Sequence, residues 1–171
     1  VADAMNLPFD DHYFSHVIFS EVLEHLEDDK KALREIARVT KPEGILMITF
    51  PHRHFYFAHD DRYVHHYRRY EMAEMISLLD EAGFQTEYVR KVLGPLEKIT
   101  MLVVTLCVSG LEGLKKNGAV KAKQKNPGGV IVKLFQWGNK LYAGIAWLDA
   151  LIMPRALSSV LLIKAKKKQS S

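Results

Sequence analysis

The chain has 171 residues, 48% apolar and 26% charged, which are values of a globular domain of ordinary size and exclude wholesale disorder. Its single Cys107 excludes an intramolecular disulfide and any CxxC zinc motif, and fits a reducing, cytoplasmic setting. A net charge of +4 hides a division: residues 1–98 hold 12 Lys/Arg against 18 Asp/Glu, whereas residues 99–171 hold 12 against 2.

The first predicted element is a buried strand over 16–20 (HVIFS), after the turn-like FDDHY. Asp28 and Asp29 then stand where acidic side chains cap a helix and complement its dipole. Leu33, Ile36 and Ala37 continue that helix, and KPEG at 41–44 stops it. ILMITF at 45–50 is a second strand, so strand, helix and strand form a βαβ unit, with parallel strands covered on both faces. A polar loop rich in His, Arg and Tyr fills 51–70. Met72, Met75, Ile76, Leu79 and Ala82 mark a second helix closed by Gly83, and FQTEYVRKVL at 84–93 reads as a third strand.

The last third differs in kind. Residues 99–111 are uncharged for 13 positions, short of the roughly 20 that cross a bilayer as a helix. A lysine-rich connector at 115–125 leads to the turn signal NPGG. Beyond it Val130, Leu134, Trp137, Leu141, Ile145, Leu148 and Ile152 keep helical spacing, and SVLLIKAKK at 159–167 reads as a closing strand before a disordered tail at 168–171. Such an apolar, basic segment suits a cap over a substrate, an interfacial helix on anionic lipid within 99–152, or packing against a partner subunit. A solvated basic surface is the plainer reading of the charge alone. The lysines are not interleaved with aromatics, so nucleic acid is not indicated.

Three stretches, in order, resemble the class I S-adenosylmethionine-dependent methyltransferases. ADAMNLPFDDHYFSHVIFSEVLEHLEDD is similar to that family's Asp, Leu-Pro-Phe, apolar strand and Leu-Glu-His-Leu. EIARVTKPEGILMITFP resembles its Arg-Val-Leu-Lys-Pro-Gly-Gly run and following strand, and HHYRRYEMAEMISLLDEAGF its His-to-Tyr loop feeding a helix that ends Ala-Gly-Phe. The resemblance implies an α/β fold: a partial Rossmann-like methyltransferase sheet with flanking helices. Residues 1–93 and 158–167 would belong to it, with 94–157 a helical insertion before the last strand. The family's glycine-rich cofactor turn would precede Val1, so the chain reads as the downstream portion of such an enzyme, expected to bind S-adenosylmethionine poorly by itself.

Further expectations follow from the resemblance. Asp3 would accept from the adenine amino group and Ala4 would read the ring edge through its backbone. Ser20, Glu21 and Val22, at the carboxyl end of the first strand, would line the methyl end of the cofactor. His25 leads as general base toward a small, hydrophobic or lipid-linked acceptor, with His52 and His66 behind it. His52, His66, Arg69 and Tyr70 are the candidates for contact with that acceptor, and Arg68 joins them as a clamp on an anionic or aromatic group. No metal is the favoured reading. The alternative is a divalent cation held by Glu21, Glu24, His25 and His66, since carboxylates and imidazole suit Mg, Mn or Zn. A noncatalytic module of the same fold, docking on a membrane or protein partner, is the competing function; oligomeric state is not legible.

Overall fold

The computed structural model describes residues 2–96, 99, 100 and 129–169. The expected apolar run beyond residue 100, the connector at 115–125, the NPGG turn up to residue 128 and the last two residues of the tail lie outside the described residues. Within them the elements run β1 (Phe14–Ser20), α1 (Asp29–Val39), β2 (Thr40–Pro51), α2 (His59–Tyr63), α3 (Met72–Glu81), β3 (Phe84–Leu93), α4 (Gly129–Ile152) and β4 (Val160–Lys167). The strands form one sheet in the order β1-β2-β4-β3. β1 and β2 are parallel, as a βαβ unit requires, and β4 runs antiparallel between β2 and β3. The expected α/β class is the observed one.

The capping signals act where they were read. The Asp28 carboxylate accepts from the backbone N–H of Lys31 at 2.8 Å, and Ala32, Leu33, Ile36 and Ala37 form the buried stripe of α1. At the helix end the structure departs from expectation. KPEG does not form a separate turn; β2 starts directly at Thr40, which pairs with Phe14 before a register shift brings Ile45 opposite His16. Gly44 makes this possible, because a Cβ there would stand 2.7 Å from both the Lys41 carbonyl and the Thr40 methyl. Gly83, at φ 89°, turns the chain out of α3 as expected.

Even-numbered β2 residues Leu46, Ile48 and Phe50 and their β4 neighbours Leu161, Ile163 and Ala165 point to one face, where α1 and α3 close the core with Leu33, Ile36, Met75 and Leu79. The sequence reading expected cover on both faces. Ile45, Met47 and Leu162 on the other face are instead half-buried, and Ile18 of the edge strand β1 is 75% exposed. Helix α4 lies against β3: Lys91 Nζ donates to the carbonyls of Leu151 (3.0 Å) and Met153, and the Asp149 carboxylate accepts from Leu96 N–H at 2.9 Å. Of its expected apolar stripe, Trp137, Ile145, Leu148 and Ile152 are exposed, while the side chains of Val130, Leu134 and Leu141 lie outside the described residues; Ala146, off that stripe, is buried. No helix among the described residues is long and apolar enough to cross a membrane. After β4, Lys168 donates its backbone N–H to Gly83 and pairs with Asp80 at 2.7 Å.

Candidate functional site

Parallel strands in an open α/β sheet gather ligands at their carboxyl ends, because loops there diverge and leave a crevice. In this chain that end is built from Ser20 of β1 and Thr49 of β2, whose hydroxyls meet at 2.8 Å. The next residue, Glu21, takes a left-handed backbone (φ 51°) with its N–H on the Thr49 carbonyl at 3.2 Å. A non-glycine residue in that region is uncommon and turns the chain sharply. The turn feeds a short 3-10 segment, Leu23–His25, which drives Leu23 into the core and carries Glu24 inside with it.

Glu24 is fully buried, and neither carboxylate oxygen has a hydrogen-bond partner among the described residues. Burial pushes its carboxyl up to about 7, with nearby Glu21 adding to the rise. His66 Nε2 stands 3.9 Å from Glu24 Oε1, and the exposed His25 ring meets the His66 ring edge-on at 4.6 Å between centroids. One ligand atom from each of Glu24, His25 and His66 lies within 4.8 Å of the others. A carboxylate and two imidazoles are a donor set for a divalent transition metal, and the two orphaned oxygens of Glu24 are the observation that makes the set fit. Glu21, the remaining residue of the expected metal set, is not in this convergent group.

Behind His66 stands Asp61. Its Oδ1 accepts from His66 Nδ1 at 2.9 Å and from Arg69 Nε at 2.8 Å, and its Oδ2 accepts from Ala58 N–H at 3.0 Å. Burial raises this carboxyl, but the hydrogen bonds from Arg69, Ala58 and His66 outweigh that and hold it well below the usual range. Arg69 is 5% exposed, and its Nη1 donates to the carbonyls of His52 and Ser159 at 3.3 Å each. Tyr70 is fully buried with its hydroxyl donating to Asp29 Oδ2 at 3.0 Å. His52 is buried with Nδ1 on the Ser158 carbonyl at 2.9 Å, and burial lowers its pKa. Arg68 pairs with Asp29 at 3.0 Å. Of the four candidates for acceptor contact, His66 is the one brought to the Glu24 cluster; Arg69 reaches it through Asp61.

Of the cofactor candidates, Ser20, Glu21 and Val22 stand at the carboxyl end of β1. Asp3 is exposed; its Oδ1 accepts from Met5 N–H at 2.9 Å, and an isolated bridge to Asn6 folds the segment into a turn around the half-buried Ala4. Met5 packs on the core, which anchors that turn to the sheet. Val22 sits between the strand end and the 3-10 segment. Asp61 was missed by sequence reading: in HDDRYVHHYRR nothing separates it from Asp60, because neither periodicity nor spacing marks which acid turns inward.

Residues 1–48 match a family described as methyltransferase domain. A probable S-adenosylmethionine-dependent methyltransferase of Mycobacterium tuberculosis is 35% identical over 85 residues, 48% of this chain and 31% of that protein. A demethylmenaquinone methyltransferase of Corynebacterium urealyticum is 53% identical over 47 residues, 28% of this chain and 20% of that protein. The chain thus spans about a third or less of the length of these curated relatives. The crystal structure of a methyltransferase from Thermotoga maritima, titled a possible histamine N-methyltransferase, superposes with a TM-score of 0.55 at 17% identity, over 98% of this chain and 62% of that one, which shows a shared fold. The Asp3 turn, β1, α1 and the Glu24–His25 segment fall within residues 1–48, and the chain is similar there to a methyltransferase domain while its sheet shares the methyltransferase fold through to β4.

Proposed function

We propose that the whole protein transfers a methyl group from S-adenosylmethionine to a small, hydrophobic acceptor, and that the acceptor's reacting atom docks beside Glu24, His25 and His66. The observation that carries this reading is the fully buried Glu24 carboxylate at the carboxyl end of β1, which has no hydrogen-bond partner among the described residues. An orphaned carboxylate in a fold that otherwise bonds its buried charges is a functional-site signature. S-adenosylmethionine supplies the methyl group on a sulfonium, and transfer needs in-line alignment more than covalent help from the protein. Asp3 and Ala4 hold the adenine side, with Ser20, Glu21 and Val22 around the methyl end. His25, exposed at the mouth of the cluster, takes the acceptor's proton as the bond to carbon forms.

The orphaned Glu24 oxygens also favour a second reading, in which Glu24, His25 and His66 hold a divalent cation. Bound there, such an ion would lower the pKa of an acceptor hydroxyl. An acceptor drawn from a lipid phase is supported by the exposed stripe of α4 and the basic character of residues 99–171, which together suit peripheral contact with anionic lipid. A relative named demethylmenaquinone methyltransferase points the same way.

The test is a transfer assay on the whole protein, with methyl-labelled S-adenosylmethionine and a panel of phenolic and quinol acceptors, run with Mn²⁺ and with chelator. Methylated product is the expected result, and loss of product with chelator supports the cation. No binding of S-adenosylmethionine by calorimetry would overturn the enzyme reading in favour of a docking module. Product formation indifferent to chelator would sink the cation alone.

A further inference from the structure

We infer that Asp61, clamped by Arg69, is a positioning residue that fixes His66 as the Nδ1–H tautomer and so turns the Nε2 lone pair toward Glu24 and His25. The chemistry of the hydrogen bonds leaves one arrangement. Arg69 only donates, and it donates to Asp61 Oδ1 from Nε at 2.8 Å, with Nη2 also at 2.8 Å. A carboxylate so held accepts and does not donate, so the 2.9 Å contact with His66 Nδ1 must carry its proton on the imidazole. Neutral imidazole has one N–H, which leaves Nε2 bare. At 3.9 Å from Glu24 Oε1, Nε2 is beyond hydrogen-bonding range but close enough to share a ligand or a proton with that oxygen.

The grip extends to the main chain. His66 N–H donates to the Asp61 carbonyl at 2.9 Å, so one residue sets both the position of His66 and the orientation of its ring. Arg69 is fixed in turn by the carbonyls of His52 and Ser159, which ties the ring to the end of β2 and the start of β4. Imidazoles that serve as ligands or bases need this kind of outer support, since the opposite tautomer would present an N–H to the site and close it. The inference rests on the reading of the Glu24 cluster as the reacting site for its use, but not for its test.

Long-range proton–nitrogen NMR of the whole protein, free of cofactor and metal and at alkaline pH where imidazoles are neutral, reads the tautomer directly. The expected His66 pattern is a protonated Nδ1 and an unprotonated Nε2; the reverse pattern in the unmodified protein overturns the inference. Asp61→Asn keeps the volume but makes the partner able to donate as well as accept, so the Nδ1–H signature should give way to a mixture. Retention of the pure Nδ1–H form in Asp61→Asn would show that another group sets the ring. If that variant does not fold, Arg69→Lys loosens the same grip and should move the two nitrogen shifts toward one another. The experiment needs no substrate, so its failure and the absence of methyl transfer are separate results.

Discussion

Two buried ionisable side chains sit at opposite ends of the same sheet, and they are treated in opposite ways. At the amino end of β1, Lys167 leaves β4 and spends Nζ on the carbonyls of Ala37 (2.6 Å) and Thr40 (2.7 Å) and on His12 Nδ1 (3.2 Å). Burial lowers its pKa, yet the ammonium ties off the last carbonyls of α1, where the helix dipole also favours a cation. At the carboxyl end Glu24 is more deeply buried and has no such partners. A satisfied buried charge serves stability; an unsatisfied one costs stability and is retained for something else.

Removing Glu24 should break the contrast most. Glu24→Gln in the whole protein is expected to lower methyl transfer by about a hundredfold or more, the scale of a lost acid–base or ligand function, while its melting temperature holds or rises. Unchanged turnover would reduce Glu24 to a misplaced core residue. The second effect is a pH dependence in the chelated protein. The folded Glu24 carboxyl titrates near 7 against 4.5 when unfolded, so the fold holds this proton more tightly. Stability from that proton is present below 4.5 and fades as pH rises through 7, by an amount on the order of 3 kcal/mol. Denaturant titrations of the parent and of Glu24→Gln should converge at low pH and separate across that window; parallel curves would remove the buried charge.

Lys167→Met tests the other end. It should cost about 2 kcal/mol in urea unfolding, because two buried carbonyls lose a charged donor, and leave the rate of transfer alone. A fall in turnover without a fall in stability would invert the comparison. The smallest effect is expected at Asp3, exposed and already bonded to Met5. Asp3→Ala should weaken S-adenosylmethionine binding by about 1 to 2 kcal/mol, and calorimetry showing equal affinity would take Asp3 out of the site.

What could be read in the sequence was local. Strand runs, the Asp28 cap, Gly83 and the adjacency of Glu24 and His25 all act within a few residues. The burial of Tyr70 and Arg69 was not legible, because their partners Asp29 and Ser159 lie far along the chain. Asp61 escaped for the same reason: its meaning comes from Arg69 and His66 after the loop has closed. The spacing in α4 pointed to a helix, which is present, but said nothing of what would cover its apolar stripe, of which Trp137 and Ile152 are exposed.

The place of β4 has a consequence for how this protein is made. Pro51 pairs with Val160 and Leu93 also pairs with Val160, so the strand joining β2 to β3 is the last of the four to leave the ribosome. Until residues 160–167 emerge, β2 and β3 each present a bare edge, and the half-sheet bearing Glu24 has no second side. Pairings of such long separation are slow to form and leave strand edges open to wrong partners in the interval. Nascent chains stalled before Val160 should therefore lean on chaperones, and release of β4 should be the step at which protection from protease appears in this sheet.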